Sequence, residues 1–233
     1  MKTVAIFLFS ISLVLAAGIS GAATISWTSA TAAVTGTAGN TLSNNLFNTE
    51  GTLVLAENSG GAALTFDGIN FAAGPDRLGK TFDGYHGSNT NQISATGTFT
   101  NTVKAITLTN LTSSQEYRVQ VLVYDGRADS NGKHVRFDGE DMGQFANGVS
   151  GSTFGDGLLA TGTFIADATT QVFTNQLFRD TNEYGSQMNA LTLHAIPEPA
   201  TISMAMATLL GGLYLRRRFY KDWGRAFNTL SSG

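Results

Sequence analysis

The 233-residue chain contains no cysteine, and only 13% of its residues are charged, while it has 27 glycines and 3 prolines. Without cysteine it forms no disulfide, no thiolate metal site and no cysteine nucleophile. Residues 24–195 hold 15 acidic and 8 basic residues, a net charge of −7. Because an acidic segment repels phosphate backbones, we expect no nucleic-acid binding.

Residues 1–23 have the pattern of a secretory signal peptide. Lys2 precedes an almost wholly apolar run from Val4 to Ala17, and small residues follow it. A positive start, a short apolar core and small residues at the cleavage site are the features that define such a peptide. We therefore expect cleavage after Ala22 or Ala23, so that the rest of the chain is exported. The alternative is an uncleaved anchor helix.

Residues 24–195 predict one exported domain, long enough to bury a single core. Apolar runs of strand length alternate with turns rich in Gly, Asn, Asp and Ser, which favours an antiparallel sandwich or barrel. Residues 74–91 and 139–157 are expected to be loops. We predict eight to ten short strands, drawn from the segments Thr52–Asn58, Leu64–Phe66, Ile69–Phe71, Gln92–Thr100, Lys104–Thr109, Tyr117–Tyr124, His134–Phe137, Thr161–Ala166, Thr170–Phe178 and Asn189–His194.

Two stretches carry the strongest strand signals. Asp67-Gly68 stands between two short apolar runs, which is the sequence of a two-residue hairpin turn. In residues 117–124 the odd positions are apolar, and a period of two places them on one face of a strand. The residues expected to face the core are Tyr117, Val119, Val121 and Val123.

The C-terminal part contains three blocks in a fixed order. Pro197, Glu198 and Pro199 come first, Ala200–Leu215 follow without a single charge, and the basic run comes last. Those 16 uncharged residues would make a helix of about 24 Å, short for a bilayer core of about 30 Å. The basic run, consisting of Arg216, Arg217 and Arg218, would keep the C-terminal side in the cytoplasm by the positive-inside rule.

This order of blocks resembles the PEP-CTERM sorting signal, which exosortase-type transpeptidases recognise in bacteria that export exopolysaccharide. The resemblance implies that residues 196–218 form the sorting signal with one transmembrane helix. It also implies an inner-membrane-anchored precursor that the peptidase cuts near Pro197-Glu198-Pro199. The alternative is a plain single-pass anchor. Residues 219–233 extend beyond the point where this family usually ends, and we expect them to form a basic cytoplasmic tail.

Three segments of the predicted domain carry a second resemblance. Leu111–Asp125, Gly162–Phe164 with the following Ala166-Asp167, and Asn189–Leu193 resemble segments common in exported jelly-roll and galactose-binding-like domains. The resemblance implies a jelly-roll-like antiparallel β-sandwich. This resemblance is one of residue pattern only, and it identifies no binding residue in this chain.

One predicted loop has the composition of a cation site. Asp125, Asp129 and Asn131 lie at oxygen-ligand spacing beside Gly132, and calcium prefers clusters of carboxylate and carbonyl oxygens. The same residues are also common in turns that bind nothing. Both interpretations stay open, with calcium as the one possible cofactor.

No arrangement of residues predicts an enzyme. The three histidines, His86, His134 and His194, show no paired metal-ligand spacing, and there is no GxSxG elbow. His194 is expected to be a satisfied residue at a strand edge. The acids of residues 138–141 are expected to be a solvated turn rather than a glycosidase-type pair. The body aromatics available to stack on a sugar ring are Trp27, Tyr85, Tyr124 and Tyr184.

The sequence therefore predicts an exported, non-enzymatic protein at the cell surface or in the extracellular matrix. Its role would be structural or adhesive within the exopolysaccharide envelope, and its partners would be an exosortase-type enzyme, the membrane and polysaccharide. The alternative is a carbohydrate-binding jelly-roll module stabilised by calcium.

Overall fold

The computed structural model describes residues 23–32, 34–35, 41–42, 45–83, 93, 96–125, 132–144 and 157–197. Every regular element in these ranges is a β-strand. In chain order the strands are β1 (Ser26–Ala32), β2 (Val34–Thr35), β3 (Thr41–Leu42), β4 (Thr52–Asn58), β5 (Leu64–Phe66), β6 (Ile69–Ala73), β7 (Lys80–Asp83), β8 (Thr96–Thr100), β9 (Lys104–Leu108), β10 (Glu116–Val123), β11 (His134–Phe137), β12 (Glu140–Gln144), β13 (Leu158–Ile165), β14 (Gln171–Arg179), β15 (Asn182–Met188) and β16 (Ala190–Ile196).

Two sheets account for nearly all of these strands. The first sheet has the order β1-β13-β10-β16-β4-β6-β5, and the second has the order β12-β11-β14-β15-β8-β7, with β9 also paired to β14. Strands β2 and β3 pair only with each other in the described part of the chain. The pairings there are antiparallel except for β4 with β6, which is parallel. The described residues thus form an all-β sandwich, which confirms the predicted class at this level.

The main hydrophobic core lies between the two sheets. The predicted inward face of β10 is confirmed, because its four alternating apolar residues are at most 2% exposed. They share one buried cluster with Phe137 of β11 and Phe173 of β14, which come from the second sheet. Burying an apolar side chain of this size stabilises the fold by about 1.5–3 kcal/mol. The four residues of β10 are Tyr117, Val119, Val121 and Val123.

A second, smaller cluster covers one end of the outer face of the first sheet. Leu122 and Tyr124, on the other face of the β10 segment, pack there with Phe47 and Phe71. The chain before β4 therefore packs over this end of the outer face, together with apolar side chains of the β5–β6 hairpin at the edge of the same sheet. This packing explains why the residue pattern around 117–124 becomes apolar on both faces towards its end.

The Asp67-Gly68 turn joins β5 to β6 and confirms the predicted hairpin. Both residues have positive φ, 50° and 74°, as a type I′ turn requires. The Asp67 carboxylate also accepts hydrogen bonds from the backbone N–H groups of Asn45, Leu46 and Phe47, at 3.0, 2.5 and 3.2 Å. This single side chain therefore fixes the segment that leads into β4.

A partly buried ion pair links β4 of the first sheet to the β6–β7 connection, which in turn bonds to β9 of the second sheet. Arg77 donates from Nε to Oε2 of Glu57 at 2.5 Å and from Nη2 to Oε1 at 2.7 Å. Its Nη1 also donates to the carbonyl of Thr107 on β9, at 3.4 Å. The geometry is bidentate, which is the arrangement in which a partly buried pair best offsets its desolvation.

Six strands were not predicted from the sequence. The prediction of loops at 74–91 and 139–157 is wrong where β7 and β12 form, and β1, β2, β3 and β15 also went unpredicted. β15 has the sequence Asn-Glu-Tyr-Gly-Ser-Gln-Met. Its glycine and polar residues do not alternate with apolar ones, so the two-residue period that predicts a strand is absent. A Cβ at Gly185 would lie 1.9 Å from the carbonyl oxygen of Thr100. Glycine is therefore required at this position because β8 approaches closely. A local sequence pattern cannot show such a contact between distant segments.

The chain crosses from the second sheet to the first through one residue, Asn189. Its backbone N–H donates to the carbonyl of Leu122, and its carbonyl accepts from the N–H of Ser59, both at 2.8 Å. Its side-chain Oδ1 accepts from the N–H of Tyr124 at 2.7 Å, and its Nδ2 donates to the carbonyl of Thr96 at 2.9 Å. Asn189 is fully buried, and it satisfies groups from β4, β8 and β10 at once.

We expect Asn189→Ala to destabilise the sandwich strongly. The substitution leaves the N–H of Tyr124 and the carbonyl of Thr96 without these partners, at about 1–3 kcal/mol for each buried group. Urea unfolding of a 24–197 fragment measures the loss, and Asn101→Ala, at an exposed turn position, serves as the matched control. A change no larger than that of the control would contradict the role assigned to Asn189.

Candidate functional site

The predicted cation loop begins at a buried carboxylate. Asp125 lies two residues after the end of β10 and is 0% exposed, whereas Asp129 and Asn131 lie outside the described residues. Within the described ranges, no three His, Asp or Glu side chains lie close enough together to hold a metal ion. The calcium interpretation therefore depends on loop residues whose positions the structure does not describe.

Buried amide side chains surround the start of this loop. Gln187 donates from Nε2 to the carbonyl of Tyr124 at 2.8 Å, and Asn175 donates from Nδ2 to the carbonyl of Gln187 at 2.8 Å. Burial, with a contribution from the negative charge of Asp125, raises the pKa of Tyr124 to about 12. Tyr124 is therefore a neutral phenol across the physiological range, and its side chain packs in the smaller apolar cluster.

Two of the aromatic side chains available for sugar stacking are buried. Trp27 is 6% exposed, stacks on Phe137 with ring centroids 4.6 Å apart, and donates from Nε1 to Oδ2 of Asp138 at 2.9 Å. Tyr124 is 4% exposed. Tyr85 lies outside the described residues. Burial removes Trp27 and Tyr124 from any role as a sugar platform.

Tyr184 is the large aromatic side chain that remains exposed in the described part of the chain, at 40%. The ammonium nitrogen of Lys133 lies 5.6 Å from its ring centroid, and the guanidinium carbon of Arg179 lies 5.5 Å from it. We call these three residues the Tyr184 cluster. An aromatic face with cations beside it is suited to a ligand that presents both a flat apolar surface and negatively charged or polar groups.

The acids of residues 138–141 lie at the hairpin between β11 and β12. Asp138 and Gly139 both have positive φ, 52° and 88°, which makes them the two-residue turn. Asp138 accepts from the N–H of Thr174 at 2.8 Å, and Asp141 accepts from the N–H of Gly143 at 2.8 Å. Asp138 also accepts from Nε1 of Trp27, and Asp141 pairs with Nδ1 of His134 at 3.2 Å, so these exposed carboxylates bond to neighbouring strands as well as within the turn.

A row of buried polar side chains lies on the outer face of the first sheet. Gln120 and Thr192 are paired across β10 and β16, as are Arg118 and His194. Three atoms in this row are buried without a hydrogen-bond partner: Oε1 of Gln120, Oγ1 of Thr192 and Nδ1 of His194. Such atoms cost stability. The expectation that His194 is a satisfied edge residue is wrong, because it lies in a central strand with one ring nitrogen unpaired.

This polar row gave no signal in the sequence. Thr192 and His194 belong to a strand whose inward-facing residues are apolar. The alternation along that strand therefore predicts that these two side chains face solvent. Only the packing of other segments over the sheet buries them, and no local pattern encodes that packing.

The predicted processing sites lie at the boundaries of the described residues. Ala23 accepts a hydrogen bond at its carbonyl from Nε2 of Gln171 at 2.8 Å, and Pro197 is exposed immediately after β16. Ala22, Glu198 and Pro199 fall outside the described ranges, as do Arg216, Arg217, Arg218 and the predicted span 200–215. Among the residues that the structure describes, no helix is long and apolar enough to cross a membrane.

Comparisons with known proteins add little. No protein-family model matches the chain, and no curated protein matches it. The crystal structure of the ANX2 ectodomain from Arabidopsis thaliana is similar over 63% of this chain, with 12% sequence identity and a TM-score of 0.41. The match covers 50% of the ANX2 chain, so the present chain spans about half of its length. A similarity this low assigns neither fold nor function.

We expect the polar row to make stability depend on pH. Burial, together with the nearby charge of Arg118, lowers the pKa of His194 below its ordinary 6.5. The unfolded chain then binds more protons than the folded chain, so stability is complete above pH 6.5 and falls as the pH drops below it. Urea unfolding over this range measures the slope. His194→Gln should remove that part of the slope, and His134→Gln should retain it; equal slopes in both variants would contradict the assignment.

Proposed function

We propose that the chain is an exported, non-enzymatic protein of the bacterial envelope, sorted by a PEP-CTERM-like signal at residues 196–218. The signal peptide directs export, and the β-sandwich folds outside the inner membrane. An exosortase-type enzyme then cuts near Pro197-Glu198-Pro199. The body passes to the cell surface or the extracellular matrix, where its role is structural or adhesive.

The main support for this proposal is the point at which the fold ends. Ile196 is the last paired residue of β16, opposite Glu116, and its carbonyl accepts from Nε2 of Gln115 at 2.5 Å. Pro197 has no N–H group and cannot extend the ladder. A sorting motif that starts at this proline therefore follows a completed strand, and a peptidase can reach it without unfolding the sheet.

The distribution of charge gives independent support. The body carries a net charge of −7, whereas the last eighteen residues contain five bases and one acid. A basic segment on the C-terminal side of an apolar span favours an orientation with that side in the cytoplasm. The acidic body then lies on the opposite side of the membrane, as export requires.

Carbohydrate binding is the second candidate function, and the Tyr184 cluster is the observation that favours it. Tyrosine offers a flat face with a polar edge, and the two cations beside it suit acidic sugars. The jelly-roll strand order and a structural calcium ion at Asp125, Asp129 and Asn131 belong to this second proposal.

For the sorting proposal, we expect Glu198→Ala combined with Pro199→Ala to leave unprocessed precursor in the membrane. The double substitution changes the motif without touching the described sandwich. Immunoblotting of membrane and extracellular fractions, with mass analysis of the mature body, measures processing. Glu183→Ala, an exposed acid within the body, is the control that should be processed normally. Identical mature mass and location in the double variant would refute the proposal.

For the carbohydrate proposal, we expect Tyr184→Ala to weaken retention on acidic polysaccharide by about 10-fold, the effect of removing one stacked aromatic contact worth about 1.4 kcal/mol. Affinity electrophoresis in gels containing alginate measures this retention. Tyr184→Phe preserves the ring and should bind almost as well as the original protein. Equal mobility of the original chain with and without polysaccharide would rule out this function for alginate-type ligands.

A further inference from the structure

The polar row on the outer face of the first sheet is buried but only partly hydrogen-bonded. Gln120, Thr192 and His194 are at most 2% exposed, and each has an atom without a partner. Gln120 is paired directly with Thr192 across β10 and β16, and His194 lies two residues further along β16 on the same face. Buried polar groups are nearly always paired, so three unpaired ones side by side indicate a place that can hold a polar molecule.

A short segment of the chain lies over this row. Phe47 packs in the smaller cluster with Leu122, at one end of the row, and Glu50 bonds to Arg118 at the other end. Gln120 lies between Leu122 and Arg118 on the same face of β10. Three residue steps reach at most about 11 Å, and four steps of a strand span about 13 Å. The chain from 47 to 50 therefore has no length for a detour and passes directly over the row.

We call residues 48–51 the strap, and both of its ends are anchored. Before it, the Asp67 carboxylate holds the backbone N–H groups of residues 45–47. At its other end Gly51 has a φ of 97° and lies so close to the carbonyl of Ala195 that a Cβ would not fit. The side chains between these anchors, at positions 48–50, are exposed. The strap can therefore lift away from the row while its ends stay in place.

The strap contacts the sheet through a carboxylate on Arg118. Oε2 of Glu50 accepts from Nη2 at 3.2 Å, and Nη1 donates to the backbone carbonyl of Glu50 at 3.2 Å. The side chain of Glu50 is 72% exposed and that of Arg118 is 13% exposed. An ion pair with one partner so exposed is weak, and a guanidinium binds a carboxylate best through two parallel hydrogen bonds. A second carboxylate can therefore displace Glu50 from Arg118.

We propose that Arg118 and the polar row form a binding site for a uronate, a sugar that carries a carboxylate, and that the strap closes this site. The ligand carboxylate takes the place of Glu50 on Arg118. The ligand hydroxyl groups pair with the unpaired atoms of the row, which are Oε1 of Gln120, Oγ1 of Thr192 and Nδ1 of His194.

The chemistry of the row suits this ligand. Oε1 of Gln120 only accepts, the hydroxyl of Thr192 both donates and accepts, and a neutral imidazole nitrogen does either according to its tautomer. The charge of Arg118 contributes, after burial, to lowering the pKa of His194, so these two groups are close together and the imidazole is neutral at pH 7. A fatty acid would leave the row unpaired, and a neutral sugar would not displace Glu50 from Arg118.

This site is separate from the Tyr184 cluster, which lies on the second sheet. The inference therefore goes beyond the proposed function, and it needs neither sorting nor sugar stacking on Tyr184. A ligand that pairs with the row offsets the cost of its unpaired atoms. These atoms thus have a role in binding that they lack while the strap is closed.

Binding of glucuronate to the full chain in detergent micelles, measured by saturation-transfer NMR, tests the inference. Thr192→Val should weaken binding about 10-fold, the effect of losing one hydrogen bond. Its urea midpoint should not fall, because the substitution removes a buried hydroxyl that has no partner. Thr107→Val, at an exposed position of β9, is the matched control and should bind like the original protein. Equal affinity in the two variants would overturn the inference.

Glu50→Gln tests the strap. Removing the charge that competes for Arg118 should tighten glucuronate binding about 5-fold, whereas Glu140→Gln, at an exposed hairpin position, should not change it. Glucose should not compete for the site, because it has no carboxylate. Failure of the Glu50→Gln chain to bind glucuronate would refute the proposed site. Loss of binding in Tyr184→Ala, with binding kept in Thr192→Val, would place the ligand at the Tyr184 cluster, which supports the carbohydrate proposal and contradicts this one.

Discussion

The chain passes from the second sheet to the first with only Asn189 between β15 and β16. The sandwich depends on hydrogen bonds for the backbone groups that meet at this crossing. A crossing this short leaves backbone groups of several strands close together in the buried interior, and each unpaired group there is costly. An asparagine carries a donor and an acceptor on a short side chain, so it pairs with Tyr124 and Thr96 together. Asn189 thereby bonds the end of β10 in the first sheet to β8 in the second.

The other buried polar groups also need hydrogen-bond partners, and they find them to different degrees. Glu57 and Arg77 satisfy each other through two hydrogen bonds, and Asn175 with Gln187 continues the amide network. The row containing Gln120, Thr192 and His194 does not reach this state, because three of its atoms are unpaired. The fold therefore tolerates a local cost on one outer face, and the large core between the sheets offsets it.

Much of the fold could be predicted from local patterns. The period of two in residues 117–124 identified the inward face of β10, and Asp67-Gly68 identified a hairpin, because both signals come from neighbouring residues. β15 could not be predicted, since Gly185 is there to admit the backbone of β8. The candidate site was harder still to predict from the sequence. Trp27 and Tyr124 are aromatic in sequence but buried in the fold, and whether an aromatic side chain faces solvent is decided by distant segments.

The position of β16 has a mechanical consequence. It lies between β10 and β4, so a pull applied beyond Ile196 acts along a strand that is bonded on both sides. The hydrogen bonds of two ladders then oppose the force together, in shear, instead of opening one after another as they would at a sheet edge. Beyond Asn189 the force continues into β15, the strand that carries Tyr184. A body held at this point withstands tension as one unit, which suits the structural or adhesive role proposed above.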